Sequence, residues 1–464
     1  MKRWWLRLTH HVAPFIPQLG ALVVLVFIGA GLAALIPWPM KLIVDYVLAG
    51  KPLPAGLSWM SRVIGADSAG VLLAWLAVST LLLFVANRVT QMLKVYIQNG
   101  MGNRMMYSLG GELFNHLQRL SLRYHQQQRS GDLVRRVITD SGCIRDLMVG
   151  VVIPALTSLA TLLTLFAVMW HLSPSLSMVA LLAAIPIPVL IRWLAPRMTE
   201  RVYVQQQCEG DVMALAEQTL TGLPVVQAFG RNEHEDRRFR ELSQSTISAY
   251  LRTIVAQLQF RVGVSASTAL GTVAMMAIGG VQVLNGSLSV GSLLVFLSYV
   301  VSLYGPMETL AYLSSSFASA TANARRVFEV LDADQEVRDA PGALVLPAPV
   351  AGKSGRISLE GVSVGYEPGR TVLHDIDLDV ETGETLALVG PTGAGKTTLV
   401  SLIPRFFDPL KGRVLLDGTD IRDIQVASLR KQVSLVLQDP FLLPLTAGEN
   451  IAYGRPEASR EEII

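Results

Sequence analysis

The sequence predicts a membrane all-α domain of six transmembrane helices, followed by a partial α/β domain built around a phosphate loop. Three observations carry this. Six apolar runs of membrane-spanning length lie before residue 305. Hydrophobic residues make up 51% of the chain and charged residues only 16%, a balance that belongs to a membrane protein with a soluble part attached. Finally, Gly390-Pro-Thr-Gly-Ala-Gly-Lys-Thr397 matches G-x-x-x-x-G-K-[ST] at every fixed position.

With 464 residues the chain has room for more than one domain. Its net charge of +3 is small and its basic residues gather in particular loops, so nucleic acid is not an expected partner. The two cysteines, Cys143 and Cys208, fall on the cytosolic side of the topology derived below. Thiols stay reduced there, which excludes a disulfide framework and leaves both as small space-filling residues.

The opening Met1-Lys-Arg-Trp-Trp-Leu-Arg7 has the positive flank of a signal peptide, but the apolar stretch behind it is too long and lacks a small-residue cleavage site. It reads as a retained anchor. Trp4, Trp5 and Leu6 beside Lys2, Arg3 and Arg7 suit a short helix lying in the bilayer interface.

The apolar runs are Phe15 to Met40, Gly70 to Ala86, Met148 to Trp170, Leu176 to Ile191, Val262 to Leu284 and Val290 to Tyr304. The second, fourth and sixth are short, so their helices are expected to continue into polar surroundings. Arginines fix the orientation. Arg88, Arg104, Arg119, Arg123, Arg129, Arg135 and Arg136, with Lys94, follow the second run, and Arg192, Arg197, Arg201, Arg231, Arg237, Arg238 and Arg240 follow the fourth. Both segments are cytosolic by the positive-inside rule. The opposite face then receives Lys51 to Ala69 and two tight turns, His171-Leu-Ser173 and Asn285-Gly-Ser287. Both termini face the cytosol, in a multi-pass protein of the plasma (inner) membrane whose helices contact membrane lipid.

Long cytosolic segments with apolar positions three and four apart, such as Leu113, Leu117 and Leu120, extend the membrane helices. After Asp332 the composition turns to Pro341, Gly342, Pro347, Pro349, Gly352 and Gly355, the marks of a linker. This gives residues 1–332 as the transmembrane domain, 333–355 as linker and 356–464 as the second domain. In the latter, Arg356 to Tyr366, Asp375 to Val380 and Thr385 to Val389 alternate as strands.

The phosphate loop needs its residue types for separate reasons. Gly390, Gly393 and Gly395 let backbone N–H groups close on phosphate oxygens, with Pro391, Thr392 and Ala394 between them. The helix opening at Lys396 adds its positive dipole end. Lys396 supplies a point charge to the β- and γ-phosphates, the Thr397 hydroxyl can hold magnesium, and Thr398 continues the cradle. The implied ligand is ATP with Mg2+.

This loop, with Val364-Gly-Tyr366 upstream and Val436-Leu-Gln-Asp-Pro-Phe441 downstream, resembles the nucleotide-binding domain of ABC transporters. The resemblance implies that Tyr366 stacks on adenine. It implies that Gln438 contacts magnesium or the attacking water and relays to the membrane domain, so that Lys396 and Gln438 carry the chemistry. Thr446-Ala-Gly-Glu-Asn-Ile451 resembles the segment that follows in the family. In the membrane half, Gly131-Asp-Leu-Val-Arg-Arg-Val137 resembles the first coupling region of the exporter class. Gly222-Leu-Pro-Val-Val-Gln-Ala-Phe-Gly230, with Glu235 and Phe239, resembles the second.

The resemblance implies an exporter half that pairs with a second half, identical or related, and couples ATP hydrolysis to export of a substrate the sequence does not name. A wall without buried charge is compatible with an amphipathic or lipid-like cargo. The family's signature segment, its Asp-ended strand with catalytic Glu and its switch histidine are not found up to Ile464, and His374 does not stand where it could substitute. The second domain is therefore expected to be cut partway. The rival expectations are an inactive or non-transporting fragment that only binds nucleotide, and a membrane-tethered ATP-binding regulator or channel.

Overall fold

The computed structural model describes residues 4–51, 69–347, 354–367, 370–438 and 441–464. The chain divides into two compact units. One comprises residues 1–109 and 140–326, the other residues 110–139 and 327–464.

The first unit is helical. Among the described residues, six helical spans are long and apolar enough to cross a membrane: Arg7–Leu48, Ala69–Arg119, Ser130–Leu172, Pro174–Thr221, Asn232–Leu284 and Val290–Leu331. Each contains one of the apolar runs read from the sequence. The continuation of helices beyond those runs is also found. Ala69–Arg119 is one helix of 51 residues and Asn232–Leu284 one of 53; each rises about 75–80 Å, far more than the roughly 30 Å of hydrocarbon they need to span. Proline opens several helices, at Pro17, Pro154, Pro174 and Pro186, where its missing N–H costs nothing. Most of the Lys51 to Ala69 stretch expected on the external face lies outside the described residues.

The two expected tight turns are present. Ser173 alone, extended, separates Ile153–Leu172 from Pro174–Ala184. At the other turn Gly286 adopts φ of +70°, and Ser289 caps the Val290–Ser302 helix by accepting the Ser292 N–H at 3.1 Å.

Small residues allow close helix packing here. On Asn232–Leu284, Gly263, Gly271 and Gly279 meet Leu190, Ala183 and Leu293; a Cβ at Gly271 would come within 2.7 Å of the Ala183 methyl. Polar clamps add specificity. Asp45 is 3% exposed, accepts the Ser289 hydroxyl at 2.6 Å and the Gly291 N–H at 3.0 Å. Trp38 Nε1 donates to the Tyr299 hydroxyl at 2.9 Å, and that hydroxyl donates to the Ala34 carbonyl. Asp140, fully buried, receives a two-pronged bond from Arg326 at 2.7 and 2.9 Å.

The second unit holds a four-stranded antiparallel sheet of order β2-β1-β3-β4, with β1 at Ile357–Glu367, β2 at Arg370–Val380, β3 at Lys411–Leu416 and β4 at Thr419–Asp420. Ile357 pairs with Val380 on one side and Leu416 on the other. Inward residues of these strands, Leu359, Val362, Val364, Leu373 and Val414, pack on Leu402 and Phe407 from the segment behind the phosphate loop. That core anchors the loop to the sheet. The strands expected at Arg356 to Tyr366 and Asp375 to Val380 are found. Thr385 to Val389 is not a strand: it has no ladder partner among the described residues, and Val389 is 89% exposed. Alternation signals a strand, but only a hydrogen-bonded neighbour makes one.

Candidate functional site: the phosphate loop and its attachment

The loop leads straight into the helix Lys396–Leu402. Gly393 and Gly395 stand at φ of +86° and +90°, the left-handed region that side chains resist. At Gly395 space is a second constraint, because a Cβ would lie 2.6 Å from Leu373 of β2. The helix closes its first bond back into the loop through Leu399 N–H to Gly395 carbonyl, 2.9 Å. The N–H groups ahead of Leu399 in that first turn have no intrahelical partner and face the loop.

Lys396 reaches over the loop: its Nζ donates to the carbonyls of Gly390 and Pro391 at 2.8 and 2.9 Å. Gly390, Pro391, Thr392, Gly393, Ala394 and Thr397 are all exposed. Thr398 is different. It is buried and its hydroxyl lies 2.8 Å from that of Tyr366. Of the two threonines, Thr397 is the exposed one.

These residues fit a nucleotide phosphate chain. Glycines clear the approach, a helix N-terminus and an ammonium supply positive charge, and a hydroxyl stands beside them. No group of three or more His, Cys, Asp or Glu among the described residues could hold a metal ion. The Thr397 hydroxyl, beside the phosphate position, is the loop group that could hold magnesium.

Tyr366, at the end of β1, is a junction. Its ring meets Phe407 edge-on, with centroids 5.6 Å apart. Its carbonyl accepts Arg123 Nε at 2.8 Å and Gln127 Nε2 at 3.3 Å. Arg123 also pairs with Glu336 at 3.2 Å. Both donors belong to the short helix Leu122–Gln127, which Ser121 caps. So one tyrosine joins this helical corner, through its main chain, to the phosphate-loop helix, through its hydroxyl. Sequence reading did not single out Arg123 or Gln127. An arginine within a basic cytosolic segment carries no local sign of a partner more than two hundred positions away.

The segment resembling the first coupling region, Gly131 to Val137, forms the next helix, Ser130–Ile138. Its Arg136 is held by Asp132 at 2.8 Å and Glu329 at 3.3 Å. In the first unit, Leu223–Ala228 is a short helix followed, past Phe229, by Gly230, where φ is +60°. It leaves Val225 and Phe229 exposed, Phe229 to 76%. Glu235 takes Thr219 and Arg238, and Phe239 is also exposed.

Gln438 is exposed and makes no hydrogen bond with the loop among the described residues. Asp439 and Pro440 lie outside them. The Thr446 to Ile451 stretch gains a physical explanation. Thr446 and Glu449 form a reciprocal capping box on Ala447–Ile451; the Thr446 hydroxyl, then its N–H, holds the Glu449 carboxyl below the usual range. Asn450 ties the preceding turn through the Leu443 N–H at 2.9 Å and the carbonyls of Leu443 and Leu445, both at 3.1 Å.

Residues 19–307 match the family described as "ABC transporter transmembrane region", and residues 373–464 match that described as "ABC transporter". The chain is 30% identical over 459 residues to the ATP-binding/permease protein YgaD of Bacillus subtilis, whose name carries a provisional assignment to multidrug export; this spans 99% of the chain and 77% of YgaD. It is 33% identical over 399 residues to the B. subtilis ABC transporter ATP-binding protein YfiC, covering 83% of the chain and 64% of YfiC. A fatty acid ABC transporter ATP-binding/permease protein of Mycobacterium bovis is 35% identical over 368 residues, 78% of the chain and 56% of the relative. The chain thus spans less than two thirds of the length of the last two. A bacterial Atm1-family ABC exporter shares the fold, with TM-score 0.74 and 24% identity over 97% of this chain and 76% of that one. With its six spans and phosphate loop, the chain belongs to the ABC transporter family, as a multi-pass membrane half-transporter of the exporter type with a transmembrane region and an ATP-binding region fused in one chain.

Proposed function

We propose that the phosphate loop binds Mg-ATP and that its hydrolysis drives export across the plasma (inner) membrane, two such halves acting together. The observation that carries this reading is the Tyr366 junction, which links the phosphate-loop helix to the Leu122–Gln127 corner. Residues 1–332 serve as the transmembrane domain, 333–355 as the linker and 356–464 as nucleotide-binding portion, with both termini cytosolic.

ATP with magnesium supplies the transferable phosphoryl group and the charge that neutralises it. Lys396 exchanges its bonds to Gly390 and Pro391 for the β- and γ-phosphates. The N–H groups of the loop and helix end orient those oxygens, and Thr397 offers its hydroxyl to the metal. Tyr366 stacks on adenine while its carbonyl holds Arg123, so the order of the site is felt at the helical corner. Gln438 would contact the metal or the attacking water, as the family resemblance implies. The exposed Val225 and Phe229 serve as the second coupling surface, on the other half.

For the cargo we favour an amphipathic molecule. Within the helical unit a cavity of about 600 Å3 is lined by Asn99, Asn103, Gln206, Ser315 and the Arg145–Asp146 pair, enough hydrogen-bonding capacity for a polar head. The cargo classes named for two relatives, fatty acids and drugs, agree.

The test compares Lys396→Ala with Lys411→Ala, an exposed lysine at the start of β3. Losing a charged bond to phosphate costs about 1.5–3 kcal/mol, so Mg-ATP affinity should fall at least about tenfold in the first variant and hardly move in the second. Equal effects would remove the role assigned to Lys396.

A further inference from the structure

The second unit contains a cleft of about 640 Å3 that shares no residue with the phosphate loop. Arg119, His125, Arg338 and Arg430 line it, against one carboxylate, Asp339. That carboxylate is already engaged, since its Oδ1 accepts the Val426 N–H at 2.8 Å.

Two of the arginines have no carboxylate of their own. Arg430 donates to the carbonyls of Pro404 and Arg405 at 3.0 and 2.9 Å, with its guanidinium over the Phe406 ring at 5.5 Å. Arg119 makes no ion pair among the described residues. Arg338 is shared with Asp334, in a pair open to solvent and therefore weak. Lost hydration, and then repulsion from Arg405, push the Arg430 guanidinium below the usual arginine range, with Asp339 opposing them. A guanidinium that has lost part of its hydration is stabilised by an anion.

Guanidinium forks match phosphate oxygens. A free phosphate ion is much smaller than this cleft, whose volume falls in the range of pockets for small organic ligands. A lipid phosphate is the other source of the same chemistry. Yet Arg119 lies at the far end of the unbroken helix Ala69–Arg119 from the apolar run, about 50 Å of helical rise beyond Ala86.

We propose that this cleft is a binding site for a small, soluble organic phosphate, with Arg119 and Arg430 as its phosphate ligands. The occupant touches three separate stretches, at Ser121, at Arg338 and at Phe406, and so ties the helical corner to the segment that follows the phosphate-loop helix. Binding to the folded state alone raises its stability, which gives a second readout.

The experiment uses the full chain in lipid nanodiscs, without magnesium, carrying Lys396→Ala so that the phosphate loop does not contribute. Ribose 5-phosphate and glycerol 3-phosphate are titrated, with ribose as neutral control and discs containing phosphatidic acid as the lipid arm. The expected result is saturable binding of at least one of the two phosphates, none of ribose, and a rise in unfolding temperature. Arg119→Gln and Arg430→Gln should each weaken binding about tenfold. Arg430→Gln also frees two main-chain carbonyls, so exposed Arg119 decides. Unchanged affinity in Arg119→Gln overturns the site whatever Arg430→Gln does. So does failure of both soluble phosphates to bind, or stabilisation by phosphatidic acid alone.

Discussion

The helical unit and the sheet unit are fastened by different means. In the first, glycines bring helices together and buried polar clamps at Asp45 and Tyr299 fix which faces meet. In the second, Leu359, Val362, Leu402 and Phe407 fill one core, and ion pairs such as Arg413–Glu360 remain near solvent. The solvent explains the contrast. Lipid is as apolar as a leucine, so burial gives membrane helices little reason to associate, and close contact with polar bonds takes over. In water, burial drives the packing and exposed ion pairs add little.

The largest effect is expected at Arg326, beyond the apolar run of its helix, where one carboxylate is buried. Arg326→Ala leaves the Asp140 carboxylate buried without its fork, which should cost about 3–5 kcal/mol. Denaturant unfolding in detergent measures this, and adding Asp140→Ala should restore most of the loss. No recovery in the double variant would mean that packing, not the charge, matters there.

A smaller effect is expected at Gly291. A Cβ there would lie 2.6 Å from the Lys41 carbonyl and 2.7 Å from Asp45, so Gly291→Ala should cost about 1–3 kcal/mol by overpacking. The same unfolding assay would find no change if the Asp45 clamp were loose. In the sheet unit, Thr446→Ala removes one hydroxyl of the capping box and should cost only about 1 kcal/mol. Thermal unfolding that left Thr446→Ala unchanged would show the box to be redundant with Asn450.

Legibility in the sequence followed the range of the signal. The six spans were readable because an apolar run is local, and so was the loop, whose glycines and Lys396 are contiguous. Thr385 to Val389 alternated like β1 and β2 but lacks the partner that makes a strand. Arg123 and Tyr366 meet across 243 positions, and nothing in either neighbourhood announces it. The coupling match at Gly131 to Val137 lay within a few residues of the helix that holds Tyr366, because that resemblance rests on sequence wording and the contact rests on the reach of Arg123 and Gln127.

The central claim is that Tyr366 makes the phosphate loop and the Leu122–Gln127 corner respond together. Hydrogen exchange of the peptide covering residues 119–128, with and without Mg-ATP, tests it directly. Nucleotide should slow exchange there in the parent chain, and the change should vanish in Lys396→Ala and shrink in Tyr366→Phe, which keeps the ring but cuts the bond to Thr398. Nucleotide bound to the parent chain with no change in that peptide, or the same change in Lys396→Ala, would contradict the account.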